Sequence, residues 1–511
     1  MRIIDNKALL LRTPNPKIVA KCIAKSKVVS DDEVLVHWDV GEVATLKSLN
    51  IDAPSPLQGR YSWPGRFTPF DHQRTTAEFL VANKKSFCFS EMGTGKSASA
   101  IWAADFLMTR GCISRALIIC PLSIMDSAWR ADLFNVAMHR TVDIAYGSAD
   151  KRKKVIEGGA EFVIINYDGV RVVEKEILAG KFDLVIVDEA SHYKNPKTAR
   201  WKSLNRIVGP DDWLWMMTGT PAAQGPMDAY GLAKLINPTA VPRTWGGFRD
   251  VVMRQVTRFK WDPKPEAVET VHRVLQPAIR YTKEECLDLP DMVYTKREVP
   301  MTAQQNMYYK KLKKDMVLQL ADSEVTTVNA AVNMNKLLQI AAGAVYTDGG
   351  DTVEFDISAR YQALRETIDE SSHKVLVFAP FTSTIRMLKE RLDADGISTE
   401  VIAGAVPVAK RTEVINSFQN NTNPRVLIIQ PQAAAHGVTL TAANTVVWWS
   451  PTPSLEIFAQ ANARVHRSGQ VNKCTVVQLH SAPVEHRIYK MLRDRVDVHS
   501  KIVALYKELL D

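Results

Sequence analysis

Four short stretches combine residue types and spacings that could do chemistry on a nucleoside triphosphate. In "SEMGTGKS" (90–97), Gly93 and Gly95 let main-chain N–H groups curl around a phosphate, and a helix-forming run follows. Lys96 would neutralise the β and γ phosphates and Ser97 would ligate Mg²⁺. The usual loop opens with glycine, whereas this one opens with Ser90. "LVIVDEASHYKN" ends an apolar run in Asp188 and Glu189, one suited to hold Mg²⁺ through water and the other to orient or deprotonate an attacking water. "MMTGTP" puts Thr218, Gly219 and Thr220 after the next apolar run, where hydroxyls could relay the state of the γ-phosphate. "QANARVHRSGQ" (460–470) spaces Arg464 and Arg467 three apart, so that on a helix they share a face and reach one triphosphate. Each stretch taken alone also has a plain reading: a glycine-rich turn with a surface lysine, a strand-ending turn, a hydroxyl-capped strand end, a solvated helix face.

Such groups need strands to carry them. "RALIICP" (115–121), "EFVIINY" (161–167), "FDLVIVDEA" (182–190) and "WLWMMTGTP" (213–221) form one series of apolar, β-branched, strand-length runs. "KVLVFAPF" (374–381), "TEVIAGA" (399–405), "PRVLIIQP" (424–431), "NTVVWWSP" (444–451) and "CTVVQLHS" (474–481) form a second. Runs that are apolar throughout predict parallel sheets covered on both faces, hence an α/β fold with two sheets. The expected organisation is a small N-terminal unit over 1–66, a nucleotide-binding lobe over 67–235, a helical linking region over 236–360, a second lobe over 361–495 and a C-terminal helix over 496–511.

The 511 residues are 46% hydrophobic and 24% charged, with ample apolar material for several cores. No apolar run is long enough to span a bilayer, and the charged N-terminus does not read as a secretory signal, so a cytoplasmic location is expected. The six cysteines are scattered, which points to buried reduced thiols rather than a disulfide framework or zinc site. A net charge of +9 is compatible with a polyanionic partner, and "KRKK" (151–154) and "KKLKK" (310–314) are either phosphate contacts or solvated helix faces.

Taken in order, these segments resemble superfamily-two nucleic-acid translocases, and most closely the Swi/Snf-type DNA-dependent ATPases in the compact form carried by bacteriophages. That family's loop reads roughly D-E-M-G-x-G-K-T and tolerates a non-glycine at its opening, which makes Ser90 acceptable and assigns Met92, Gly93, Thr94, Gly95, Lys96 and Ser97 to the nucleotide. "FDHQ" (70–73) is similar to the adenine-sensing segment, placing Gln73 against the base. "CPLSIMDSAW", with Pro121 and Trp129, resembles the first DNA-facing motif. "DEASHYKN" follows D-E-A-H-x-x-K-N with Ser191 in the histidine position, and "RYTKEECLDLP" (280–290) resembles a segment typical of this family. "AAAHGVTLTAANTVV" is similar to the motif joining DNA to the nucleotide cleft through Gly437 and Leu440. "QANARVHRSGQ" follows Q-A-x-G-R-x-x-R-x-G-Q from Gln460, with Arg464 and Arg467 as arginine fingers and Ala463 replacing a usual glycine. "WWSPTPS" departs from a pattern in which aspartate precedes W-N-P.

The resemblance implies two tandem RecA-like lobes with ATP and Mg²⁺ in the cleft and duplex DNA held mainly by its phosphates. The implied activity is ATP-dependent translocation on double-stranded DNA, in replication or recombination. A strand-separating DNA or RNA helicase and an ATP-gated nucleic-acid clamp are the other readings.

Overall fold

The computed structural model describes residues 1–219, 221–222, 225–257, 261–286, 290–322, 327–346, 351–434, 438–467 and 469–494. The chain divides into two compact units, one running to Cys286 and one following it. That division falls inside the span expected as a helical link.

The first unit opens with β1 (Arg2–Ile4), β2 (Ala8–Arg12), β3 (Ser26–Val28) and β4 (Glu33–His37), an antiparallel sheet in the order β1-β2-β4-β3. Alternation along "EVLVH" and "ALLLR" sends Val34, Val36, Leu9 and Leu11 into a small core with Trp38 and Leu46. Val40 and Leu57 belong instead to the core of the sheet that follows. Asp39 accepts from Arg110 at the end of the helix Lys96–Thr109, which ties the N-terminal sheet to that lobe.

That next sheet comprises β5 (Lys85–Cys88), β6 (Ala116–Cys120), β7 (Val142–Ala145), β8 (Phe162–Asn166), β9 (Leu184–Val187) and β10 (Trp213–Met217). After a short antiparallel ribbon, β11 (Met253–Gln255) with β12 (Trp261–Pro263), it is completed by the two-residue β13 (Ala278–Ile279). Its order is β13-β5-β10-β9-β6-β8-β7, and every pairing is parallel. Residues alternate between two cores: Phe87, Leu117, Val185 and Val187 pack on one face, and Cys88, Ile118, Leu184 and Ile186 on the other. This is the two-sided burial expected of the continuous apolar runs.

The second unit holds β14 (Met292–Glu298), the ribbon β15 (Ala344–Tyr346) and β16 (Thr352–Glu354), then β17 (Lys374–Phe378), β18 (Thr399–Ile402), β19 (Val426–Ile429), β20 (Ala443–Trp448) and β21 (Cys474–His480). Its six-stranded sheet runs β14-β21-β20-β17-β19-β18, again all parallel. The chain is therefore α/β with two RecA-like parallel-sheet lobes. Strand β14 lies in the stretch expected to be helical: "MVYTKRE" is an edge strand with exposed polar positions, so no apolar run announces it. The helices Ala303–Asp322 and Thr327–Ala342 account for the helical character of the rest.

The buried thiols are Cys88, Cys120 and Cys474; Cys22 and Cys112 are exposed, against expectation. Among the described residues no helix is long and apolar enough to cross a membrane.

Candidate nucleotide site

In the first unit the candidate groups collect at the carboxyl ends of adjacent strands, the edge where open parallel sheets bind ligands. Strand β5 leads into the glycine loop, β10 into Thr218, β9 into Asp188 and Glu189, and β6 into Pro121. Gly93 and Gly95 both take left-handed backbone, with φ of 86° and 82°. Lys96 and Ser97 open the helix Lys96–Thr109, whose first-turn N–H groups add positive potential. The Lys96 ammonium donates to the main-chain oxygens of Ser90 (2.8 Å) and Glu91 (3.0 Å). These are oxygen acceptors of the kind that phosphates also offer.

Ser90 has its own task. Its hydroxyl is buried and accepts from the Tyr281 N–H at 3.1 Å, while the Glu91 N–H donates to the Tyr281 carbonyl and the Glu91 carboxylate accepts from the Lys283 N–H. A glycine there would leave the segment after β13 without this anchor. Gln73 is packed on the loop from behind: its amide donates to the Thr94 carbonyl at 3.4 Å, and a Cβ built on Gly95 would overlap it. His72 contacts the same carbonyl at 2.8 Å. Gln73 therefore supports the loop directly.

Asp188 is held by three elements. Its Oδ2 accepts from the Trp129 indole N–H at 2.9 Å, its Oδ1 from the Glu189 N–H at 3.0 Å, and its carbonyl from the Tyr167 hydroxyl at 2.8 Å. Burial pushes the Asp188 carboxyl up, the Glu189 charge adds to this, and Trp129 and Lys96 pull it down. Glu189 sits at φ 50°, a left-handed conformation uncommon outside glycine and concentrated at functional sites. Its Oε1 receives both the Thr218 hydroxyl (2.8 Å) and the Ser191 hydroxyl (3.2 Å). The set fits a triphosphate with Mg²⁺: an ammonium on exchangeable oxygen partners, and adjacent carboxylates whose repulsion a divalent cation relieves.

The second unit departs from the sequence reading. The helix Leu455–Asn462 carries Gln460 but ends before Arg464 and Arg467, which lie in the turn that follows, so they share no helix face. Arg464 is 7% exposed and its carbonyl accepts from the Leu440 N–H at 2.9 Å. Leu440 is a core side chain, and Gln460 is buried with its amide on Glu456 at 3.0 Å, so neither presents a nucleic-acid surface. Trp448 and Trp449 of "WWSP" are core residues too. Thr220 and Gly437 lie outside the described residues, as does 496–511.

A family profile described as "SNF2-related domain" matches residues 72–342, just over half of the chain. The chain belongs to the SNF2-related family. A second profile, "Helicase conserved C-terminal domain", matches residues 359–469. This SNF2-related chain is 25% identical to the "Uncharacterized ATP-dependent helicase MG018" of Mycoplasma genitalium, over 81% of its own length and 40% of the relative's. It is 24% identical to "Putative protein p41" of Acyrthosiphon pisum secondary endosymbiont phage 1, over 87% of its own length and 99% of that protein's. The chain thus spans well under half of the Mycoplasma relative and nearly all of the phage one. Among solved structures, the Sulfolobus solfataricus SWI2/SNF2 ATPase core in complex with dsDNA aligns at 20% identity, with a TM-score of 0.42, over 88% of this chain and 97% of that one.

Several contacts of this SNF2-related site cannot be read from motif spacing, even where the residue itself lies in a motif. Trp129 and Tyr167 reach Asp188 from positions 59 and 21 residues away in sequence. Gln470 donates to the carbonyls of Thr441, Ala443 and Val465, holding the arginine-bearing turn to the end of β20's lead-in. In "KRKK", Arg152 is buried on the carbonyls of Ala145 and Gly147, and Lys153 pairs with Glu176. Lys151, Lys153 and Lys154 are exposed on their helix, as are Lys310, Lys311 and Lys314 on theirs.

Proposed function

We propose that this protein is a DNA-dependent ATPase that moves along duplex DNA, remodelling replication or recombination intermediates. The observation that carries this reading is the convergence of the Lys96 loop, Asp188, Glu189 and Thr218 on neighbouring strand ends of one sheet. ATP is the substrate, and Mg²⁺, held by Ser97 and Asp188, supplies charge neutralisation to its phosphates. Lys96 exchanges the Ser90 and Glu91 carbonyls for phosphate oxygens. Gly93, Thr94, Gly95 and Met92 line the phosphate loop, and Gln73 holds it from behind. Glu189 accepts the proton of the attacking water, and Thr218, bonded to its carboxylate, reports the state of that site to the nucleic acid together with Pro121 and Thr220. Arg464 and Arg467 supply positive charge to the departing phosphate, and Gly437, Leu440 and Gln460 shape the segments that carry them. DNA contacts go mainly to phosphates, so binding weakens steeply with salt and shows little sequence preference.

The test is steady-state ATP hydrolysis with no nucleic acid, duplex DNA, single-stranded DNA or RNA, with Lys96→Ala as the blank. Duplex stimulates turnover most, and Glu189→Gln binds ATP yet loses turnover by about 10²-fold or more. A preference for single strands or RNA replaces this reading with a helicase. ATP binding without turnover on any of them replaces it with a clamp.

A further inference from the structure

Trp129 has more to do than fill a core. It is fully buried in a π-helical turn, Met125–Arg130, a rare wide turn that is frequent at functional sites. The partner of its N–H is unusual within this chain. The indoles of Trp38, Trp102, Trp201, Trp215 and Trp449 donate to main-chain carbonyls, those of Pro54, Pro64, Gly231, Asn83 and Ala342, and that of Trp448 donates to the side-chain carbonyl of Asn462. A buried indole needs nothing more than such a carbonyl. The Trp129 N–H goes instead to Oδ2 of Asp188, a carboxylate at the end of β9, where it matches the Glu189 N–H on Oδ1. One donor on each oxygen fixes the plane of the carboxylate.

We propose that Trp129 is a positioning residue for Asp188, through which a displacement of segment 121–130 changes how firmly that carboxylate holds Mg²⁺. The proposal rests on the reading of Asp188 as the metal carboxylate given above. The segment follows strand β6, which pairs with β9, so its wide turn and the Asp188 carboxylate sit at neighbouring strand ends. The indole has a single N–H, so any displacement of the ring moves the one donor that it gives to Asp188. Duplex binding against segment 121–130 would then be felt at the metal without any contact between DNA and Asp188.

The experiment compares the unaltered protein with Trp129→Phe, which keeps an aromatic ring and removes the N–H. Trp215→Phe is the control, because Trp215 is equally buried in the same core and donates to the Asn83 carbonyl. A fluorescent ATP analogue is titrated in EDTA and then against Mg²⁺, and the Mg²⁺ midpoint is measured with and without duplex. Loss of an outer-shell partner weakens metal affinity by about 10-fold or more. Trp129→Phe should therefore raise the Mg²⁺ midpoint about 10-fold while metal-free binding stays within about twofold. Trp215→Phe should leave the midpoint unchanged. Duplex should shift the midpoint of the unaltered protein and not that of Trp129→Phe.

A midpoint unmoved by Trp129→Phe, or moved equally by Trp215→Phe, overturns the positioning role. A duplex shift that survives in Trp129→Phe overturns the transmission. Should Trp129→Phe not fold, Trp129→Met, which also lacks a donor, is judged by the same thresholds. If the unaltered protein binds the analogue with no dependence on Mg²⁺, the metal reading of Asp188 fails, and this proposal fails with it.

Discussion

Replacing Gly95 with alanine should damage the phosphate loop twice over, and the two effects are separable. The backbone there has φ 82°, a left-handed conformation that costs a residue with a Cβ about 1–2 kcal/mol. The new Cβ would also occupy the place of the Gln73 amide nitrogen, so the Gln73 side chain must leave. Its departure breaks the bond to the Thr94 carbonyl and the bond in which its Oε1 accepts from the Phe70 N–H at 3.0 Å. At about 0.5–1.5 kcal/mol each, these bring the total to about 2–5 kcal/mol. In a Gln73→Ala background nothing is left to collide with, so Gly95→Ala should cost only the backbone share of about 1–2 kcal/mol. Since 1 kcal/mol moves the transition of a unit of this size by about 2 °C, the first-unit midpoint should fall by about 4–10 °C in one background and about 2–4 °C in the other. Thermal unfolding without nucleotide, run on both single variants and the double, reads the difference directly. Equal losses in the two backgrounds would refute the packing of Gln73 on Gly95.

Other perturbations follow from the same geometry. Ser90→Gly restores the usual opening glycine, yet it should destabilise the first unit by about 1–3 kcal/mol, because the Tyr281 N–H loses its acceptor. Hydrogen exchange at residues 277–283 should quicken, and unchanged protection would contradict the anchor. In the second unit, Arg360 and Glu485 form a buried pair at 2.7 Å, so Arg360→Met should cost about 3–5 kcal/mol in denaturant unfolding. Arg360→Met with Glu485→Met should recover much of that loss. Burial holds His480 at about 4, with help from His486 and Arg360, against about 6.5 when unfolded. Between those values the unfolded chain takes up the proton and the folded one does not, so stability present above pH 6.5 is lost as pH falls towards 4, by about 2 kcal/mol once solvent screening is allowed for. A second-unit melting profile over that range that His480→Gln leaves unchanged would assign the pH dependence elsewhere.

Much of the architecture was legible in the sequence because parallel strands buried on both faces must be apolar at every position. "ALIIC", "FVIIN", "LVIV" and "WLWMM" each form a strand of the first sheet where the runs placed them. The loop glycines were legible for a related reason: left-handed backbone selects glycine, so Gly93 and Gly95 mark the turn in one dimension. Strand β14 and the short β13 were not, since an edge strand with one neighbour needs no continuous apolar run.

What sequence alone determined was the chemical inventory: an ammonium, two adjacent carboxylates, hydroxyls and arginines, in an order that specifies a family. Tertiary structure decided which groups hold them in place. Trp129 on Asp188, Thr218 on Glu189, Gln73 behind Gly95 and the Tyr281 N–H on Ser90 are contacts between segments 21 to 191 residues apart. The turn that ends the helix before Arg464 was likewise invisible to residue spacing, because i and i+3 share a face only where the helix continues. Local pattern records what a backbone conformation demands of its own residues. The partner of a side chain depends on which strand ends the sheet order brings together, and that is a property of the folded chain.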